Sequence, residues 1–303
     1  MKLGVTSFLT DRSMPPDLLA VEVEARGFVS LFLPEHTHLP VRGAVPPSVV
    51  DGVSLEDYRR GLDPLVALAT AAPVTRRLRL GTGVCLVAQH DPIVLAKQVA
   101  TLDHLSGGRF DLGIGFGWNR DEAEDHGVDF ADRRGLAEEK VRCMQALWAD
   151  DVAEYHGDRV DLPPSFSWPK PVQRAGSGTD GTGRPGVPVL VGGGPTPSVF
   201  DAVVGYGCGW MPIGGSGIDA ALPELERRWA GAGRDGARPR VLPFGTVPTT
   251  EKLEYFAEIG IDEVVLRLPS GGRDVMMAAL DELATFVERF DDDRAPLWEG
   301  AER

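Results

Sequence analysis

The chain has 303 residues, 43% of them hydrophobic and 25% charged, an ordinary globular composition with enough length for a sizeable core. A formal charge of -14 argues against nucleic acid and anionic membranes as main partners. Cys85, Cys143 and Cys208 lie far apart, Met1 opens no basic-then-apolar leader, and no apolar run approaches about eighteen residues, so a cytoplasmic protein with reduced thiols and no membrane span is expected.

Leu3–Leu9 reads as a buried strand, and the apolar positions from Pro15 to Arg26 predict a helix stopped by Gly27. Ser30–Pro34 is the second strand and ends in Glu35-His36-Thr37-His38. Leu39–Gly61 has no clear period and reads as a long excursion over one face, the kind of loop that is usually functional or mobile. Leu62–Ala72 is helical, Leu78–Val87 is the third strand, and Asp91 caps a helix that has Pro92 at its first position and runs to about Leu105.

The fourth strand lies in Ser106–Arg120, where Leu112, Ile114 and Phe116 alternate with Gly113, Gly115 and Gly117. Bare glycine faces admit either a flat ligand or another backbone. Trp118 and Asn119 follow as an aromatic wall and an amide. A Rossmann loop is not indicated, because the spacing is Gly-x-Gly-x-Gly and Arg120 stands where the last glycine of that fingerprint belongs.

A helix is expected over Arg133–Trp148, then a short strand at Val152–Tyr155 and a proline-rich passage at Leu162–Pro171. Gln173–Gly186 is a low-complexity loop, either a surface insertion or a lid. Strands at Val187–Val191, Cys208–Met211, Val241–Val247 and Val264–Leu268 alternate with helices after Gly192-Gly193-Gly194-Pro195-Thr196, at Ile218–Trp229, at Thr250–Ile259 and at Asp274–Phe290. Such alternation predicts parallel strands with right-handed crossovers, hence an α/β (β/α)8 barrel in one domain, 1–303, with insertions near 39–61 and 150–186. A doubly wound sheet is the alternative.

Chemistry in such a barrel sits at the C-terminal strand ends. Those ends offer Glu35 and His36; Thr82, Gly83 and Val84; Gly117, Trp118 and Asn119; and Gly192, Gly193, Gly194 and Thr196. Glycine amides before a helix suit an anion, or form only a flexible turn. His36 suits proton transfer beside Glu35, or the two end a strand as a solvated pair. No third ligand joins His36-x-His38 at a metal-binding spacing, and His90, His104, His126 and His156 read as surface residues, so no metal is expected. A nucleophile elbow and a phosphate loop are both missing.

Pro34-Glu35-His36, Leu80-Gly81-Thr82-Gly83-Val84 through His90-Asp91-Pro92, Lys97-Gln98 through Gly108-Arg109, Gly113 through Asn119, Trp148 and Val191-Gly192-Gly193 together resemble the bacterial luciferase-like family of flavin- and deazaflavin-dependent oxidoreductases. The resemblance runs from Leu3 to Phe290 and is nearest to the branch that uses coenzyme F420. It implies a barrel with a cis peptide at Gly83–Val84 supporting a cofactor ring, His36 near the reactive ring position, Glu35 at the ring's polar edge, and Asn119 with the Gly192–Thr196 turn on the tail and phosphate. It implies F420-dependent hydride transfer to or from a small organic substrate, with FMN-dependent monooxygenation fed by a reductase, or non-catalytic flavin binding, as alternatives; a homodimer is the family habit. Trp118 stands where the sugar-phosphate dehydrogenases have a Glu, and Pro40 where they have a Trp, so their substrate is not carried over. Gly115 and Phe116 replace the reactive Cys and phosphate-binding Arg of true luciferases. Substrate walls are expected from the Leu39–Gly61 and Gln173–Gly186 loops, Trp210 and Met211.

Overall fold

Short, almost wholly buried runs form the strands, and the chain returns through a helix after most of them. The structure, a computed structural model, describes residues 1–42, 53–174, 185–215, 217–234 and 238–290. Its strands are β1 (Lys2–Thr6), β2 (Ser30–Leu33), β3 (Arg79–Thr82), β4 (Phe110–Ile114), β5 (Ala153–His156), β6 (Asp161–Ser165), β7 (Val189–Gly192), β8 (Gly209–Met211), β9 (Arg240–Val241), β10 (Phe244–Thr246) and β11 (Glu263–Arg267). The helices are α1 (Pro16–Ala25), α2 (Leu55–Arg60), α3 (Pro64–Ala71), α4 (Pro92–Ser106), α5 (Arg120–Asp125), α6 (Arg133–Ala149), α7 (Pro197–Gly205), α8 (Ile218–Gly231), α9 (Thr250–Glu258) and α10 (Arg273–Phe290).

The main sheet runs β10-β11-β1-β2-β3-β4-β7-β8-β9, every pairing parallel. Its two ends are halves of one strand. Only Leu242 and Pro243 separate β9, which pairs with β8, from β10, which pairs with β11. Pro243 has no N–H to give a ladder, and the strand changes neighbour there: Leu242 N–H donates to Trp210 O at 2.9 Å, while Val265 N–H donates to Pro243 O at 2.9 Å. The sheet therefore closes on itself as the expected barrel, its strands wrapped by helices whose buried faces pack against it.

Proline at the first position pre-sets α1, α3, α4 and α7. Asp91 caps α4 through Ile93 and Val94 N–H at 2.9 Å, and Gly107 ends it in a left-handed conformation at φ 68°. Several boundaries differ from the sequence reading. Leu39–Gly61 contains α2, entered by a reciprocal Ser54–Asp57 capping box, while 43–52 lies outside the described residues. The Val152–Tyr155 strand starts one residue later as β5 and forms an antiparallel hairpin with β6, apart from the barrel. In Gln173–Gly186 the described ends meet at an Arg174–Pro185 bridge, and 175–184 lies outside the described residues.

A buried ionic network ties the N-terminal ends of the strands. Asp111 accepts from Arg79 Nε and Arg240 Nη1, both at 2.9 Å; Arg240 Nη2 reaches Glu263 at 2.7 Å, and Ser30 Oγ donates to Glu263 at 2.6 Å. Five strands are thereby fixed at the end remote from the site. Among the described residues no helix is long and apolar enough to cross a membrane.

Candidate active site

The opposite end of the barrel holds a cavity of about 320 Å³, lined from the C-terminal ends of β1, β2, β3, β4, β7, β8, β10 and β11 and by the first turn of α6. Its floor is made by close approach of backbones. A Cβ on Gly113 would stand 2.0 Å from Thr82 O, and one on Gly115 would stand 2.3 Å from Val84 Cγ2. Both glycines are thus needed for β3 to pack against β4, the second of the two uses their spacing allows. Below Gly83 lies the Phe244 ring, which a Cβ there would meet at 2.2 Å. The Gly83–Val84 peptide is cis, as the resemblance implies.

Behind the floor, Glu35 organises the segment after β3. Its carboxylate accepts from Leu86 N–H at 2.5 Å and from His90 Nε2 at 2.8 Å. Burial alone would raise the Glu35 pKa, but the hydrogen bond and charge of His90 override it and the net direction is down. Burial alone would lower His90, and its bond to Glu35 raises it instead. Lys140 Nζ adds bonds to Ala88 O at 2.7 Å and His90 O at 2.6 Å. His90, read from sequence as a surface residue, is a half-buried partner of Glu35.

His36 stands on the wall above. Its Nδ1 lies 2.9 Å from Oε2 of Glu122, a fully buried residue on α5, and among the described residues no group bonds Nε2. An ionised carboxylate can only accept, so Nδ1 carries a hydrogen, and in the neutral imidazole Nε2 then presents the lone pair. Tyr58 and Trp118 enclose the ring, with centroids 5.1 and 5.6 Å from it and 5.9 Å from each other. Ser7, buried at the end of β1, lines the same cavity with a hydroxyl that has no partner among the described residues. Arg133 and Arg134 enter beside Gly117, and Arg267 enters from β11.

Of the residues singled out in the sequence, Glu35, His36, Gly83, Val84, Gly117, Trp118, Gly192 and Gly193 meet around this one cavity. Thr82 does not line it: its hydroxyl is buried and donates to Gly113 O at 2.7 Å. Asn119 does not either, because its side chain caps α5, accepting Glu122 N–H at 3.2 Å. Gly194 and Thr196 lie outside the lining. Thr196 N–H donates to Gly194 O at 2.8 Å, its hydroxyl caps Val199 N–H, and Gly193 N–H donates to Met211 O, so much of the supposed anion cradle is already engaged. Met211 lines the cavity, but Trp210 is fully buried on the other face of β8, with Nε1 donating to Gly193 O at 2.8 Å.

Sequence reasoning missed Glu122, Tyr58, Ser7, Arg133, Arg134 and Arg267. Glu122 follows the Asn119 cap by three residues, a spacing that marks a helix start but does not announce a buried carboxylate. Glu35, Cys85 and His90 place ligand-type atoms within 4.8 Å of one another. Desolvation of buried Cys85 holds its thiol well above the ordinary range, and Glu35 and His90 neutralise each other, so this trio is self-satisfied as a hydrogen-bonded group.

A family model described as luciferase-like monooxygenase matches residues 18–300. The chain is 42% identical over 287 residues to the uncharacterized protein Rv0953c of Mycobacterium tuberculosis, covering 94% of this chain and 98% of that one. Among solved structures, the monooxygenase RslO1 from Streptomyces bottropensis superposes with a TM-score of 0.74 at 18% identity, over 95% of this chain and 99% of that chain. An F420-dependent secondary alcohol dehydrogenase, solved with an F420-acetone adduct, gives a TM-score of 0.68 at 18% identity, over 94% and 98%. These likenesses concern the barrel as a whole.

Proposed function

The chain belongs to the luciferase-like monooxygenase family, whose members are oxidoreductases, and from that premise we propose an F420-dependent oxidoreductase acting on a small, largely apolar alcohol or carbonyl compound. The observation that carries the reading is the His36–Glu122 pair on the wall of a glycine-floored cavity. The residues fit a flat ring with an acidic tail: Val84 and Gly192 offer a level seat, and Arg134 Nη1 is buried there without a partner among the described residues. When bound, a deazaflavin supplies a carbon that gives or takes hydride and does not readily activate oxygen.

The protein's own part is to handle the proton. Glu122 fixes the His36 tautomer, so Nε2 accepts the hydroxyl proton of an alcohol as hydride leaves its carbon, or as imidazolium returns a proton to a carbonyl oxygen in the reverse direction. Tyr58 and Trp118 hold the imidazole and exclude water from it. Ser7 offers a hydroxyl for a substrate oxygen. No thiol among the described residues lines the cavity, which suits hydride transfer better than luciferase-type chemistry.

FMN-dependent monooxygenation with a separate reductase is the competing reading, and the likeness to RslO1, a monooxygenase, supports its oxygenating part. Titrating the cofactor-free protein separates them. F420 saturating at micromolar concentration with FMN ignored supports the first reading, and the reverse supports the second. Binding without turnover across a broad panel of alcohols and ketones would favour a non-catalytic carrier.

A further inference from the structure

Two hydrogen-bond donors stand beside His36 that proton transfer does not require. Ser7 follows β1 and is 2% exposed, and its hydroxyl has no partner among the described residues. β1 and β11 pair in parallel with Thr6 opposite Arg267, so Ser7 and Arg267 leave neighbouring strands at nearly one height. Val265 belongs to the cluster inside the barrel, and Arg267, two residues on, points the same way and lines the cavity. Gly245 on β10 keeps room for its guanidinium. A Cβ there would stand 3.3 Å from Arg267 Nη2, and a φ of +66° favours glycine. Phe8, Ile213, Phe244, Leu268 and Pro269 line the cavity nearby, and the Ser270 hydroxyl is engaged with Ser13 at 3.1 Å.

A buried hydroxyl without a partner is rare in a folded protein and points to a group that arrives with a ligand. The guanidinium beside it sets the charge of that group. A planar fork takes a carboxylate through two N–H donors, and the serine hydroxyl supplies a third. The carboxylates on the same lining, whose charge would repel an anion, are committed: Glu35 accepts from Leu86 and His90, and Asp57 accepts from Ser54. The strand order β11-β1-β2-β3 puts the pair next to His36, with His36 between it and the Gly83–Val84 turn. Adjacent strands lie about 4.8 Å apart, so a carboxylate held here sits about 5–10 Å from a carbon beside His36, too far to be attached to it directly.

Building on the proposed function, we propose that Ser7 and Arg267 form a carboxylate-binding pole that selects the substrate, a hydroxy or oxo acid whose carboxylate is several carbons from its alcohol or carbonyl carbon. The carboxylate is unchanged by the reaction. It anchors one end of the chain, the apolar walls take the methylenes between, and the far carbon is presented to His36 Nε2. Neither Ser7 nor Arg267 touches the reacting carbon; they set specificity.

The test is first made on the cofactor-free full chain, by calorimetric titration with hexanoate and with hexanamide, its uncharged isostere. The wild-type protein is expected to bind hexanoate about tenfold or more tightly than the amide. In Arg267→Met that ratio should fall to within about threefold, in Ser7→Ala it should fall by about three- to tenfold, and Arg267→Lys should recover part of it. Thermal midpoints near wild type establish which variants fold, and if Arg267→Met does not, Ser7→Ala, which removes one oxygen, decides. Equal affinity for acid and amide in the wild type overturns the pole. A ratio that survives in folded Arg267→Met, or that vanishes in Arg133→Met/Arg134→Met instead, overturns it as well. A second measurement compares F420-coupled reduction of 5-oxohexanoate and hexan-2-one. The acid is expected to have the lower KM, and Arg267→Met should raise its KM about tenfold while changing kcat less than threefold. If the binding ratio behaves as expected and no oxo acid is reduced, the carboxylate pole holds and the F420 reading fails.

Discussion

His36 Nδ1 and Glu122 Oε2 meet at 2.9 Å although 86 residues separate them, and Glu122 brings no other bonded partner to its second oxygen. The carboxylate therefore does one job in this end of the barrel, which is to orient the imidazole. His36→Ala should lower cofactor-coupled turnover by about 10²- to 10⁴-fold while leaving cofactor affinity within about threefold. Glu122→Leu should approach the same loss, because the neutral ring is then free to take the other tautomer. Glu122→Gln keeps an acceptor but not the charge and should fall between the two. Wild-type kcat in Glu122→Leu would mean that the pair only fills space.

The partnership behind the floor makes a second expectation, about pH. Glu35 is shifted down from its ordinary 4.5 and contributes stability above that value, which is lost as pH falls through the depressed folded pKa. His90 is shifted up from 6.5, so its contribution is complete below 6.5 and is lost as pH rises through the raised folded pKa. Their joint contribution is therefore fullest between about 4.5 and 6.5. His90→Gln should flatten the decline in thermal midpoint above pH 6.5 relative to wild type. A parallel decline in the variant would show that other groups cause it.

The barrel was legible because its strands alternate regularly with helices and because glycine and polar residues interrupt the apolar runs at their ends. What escaped was set by direction and distance. Trp210 and Met211 are adjacent in a strand, so they must face opposite sides; the floor takes Met211 and the helical layer takes Trp210. Asn119 and Thr82 sit at the right height but use their polar atoms on the backbone. The helix α5 carries mostly charged residues and gives no apolar period, which concealed Glu122. Arg133 and Arg134 open a helix that follows the site in sequence and look like any solvated pair until the fold turns them inward.

At the other end of the barrel, Asp111 is held between two arginines. Burial alone would raise its pKa, but Arg240 and Arg79 more than offset that and keep it below the ordinary carboxylate range. Asp111→Asn leaves the half-buried Arg79 without its carboxylate and Arg240 with Glu263 alone, and should cost about 1.5–3 kcal/mol in urea unfolding. Cofactor affinity of the folded fraction should not change, since this network lies at the N-terminal ends of the strands. A loss below about 1 kcal/mol would show that water replaces the carboxylate there.

Gly115 ties the central strand to the seat of the ring. A methyl at this position would lie 2.3 Å from Val84 Cγ2 and 3.2 Å from Val84 Cβ, so Val84 must move, and the open side is the cavity. Gly115→Ala should therefore destabilise the protein by about 1–3 kcal/mol through overpacking and weaken binding of the phosphate-free ring by about tenfold or more. Gly117→Ala is the contrast. No atom lies nearer than 3.8 Å to its added methyl, but φ is +72°, so strain of about 1–2 kcal/mol is expected with Val84 undisturbed. Adding Val84→Ala to Gly115→Ala removes the clashing methyl groups and should restore stability by more than the two single effects would sum to. Strictly additive energies, measured by chemical unfolding of all three variants, would show that Gly115 is needed for something other than the approach of Val84.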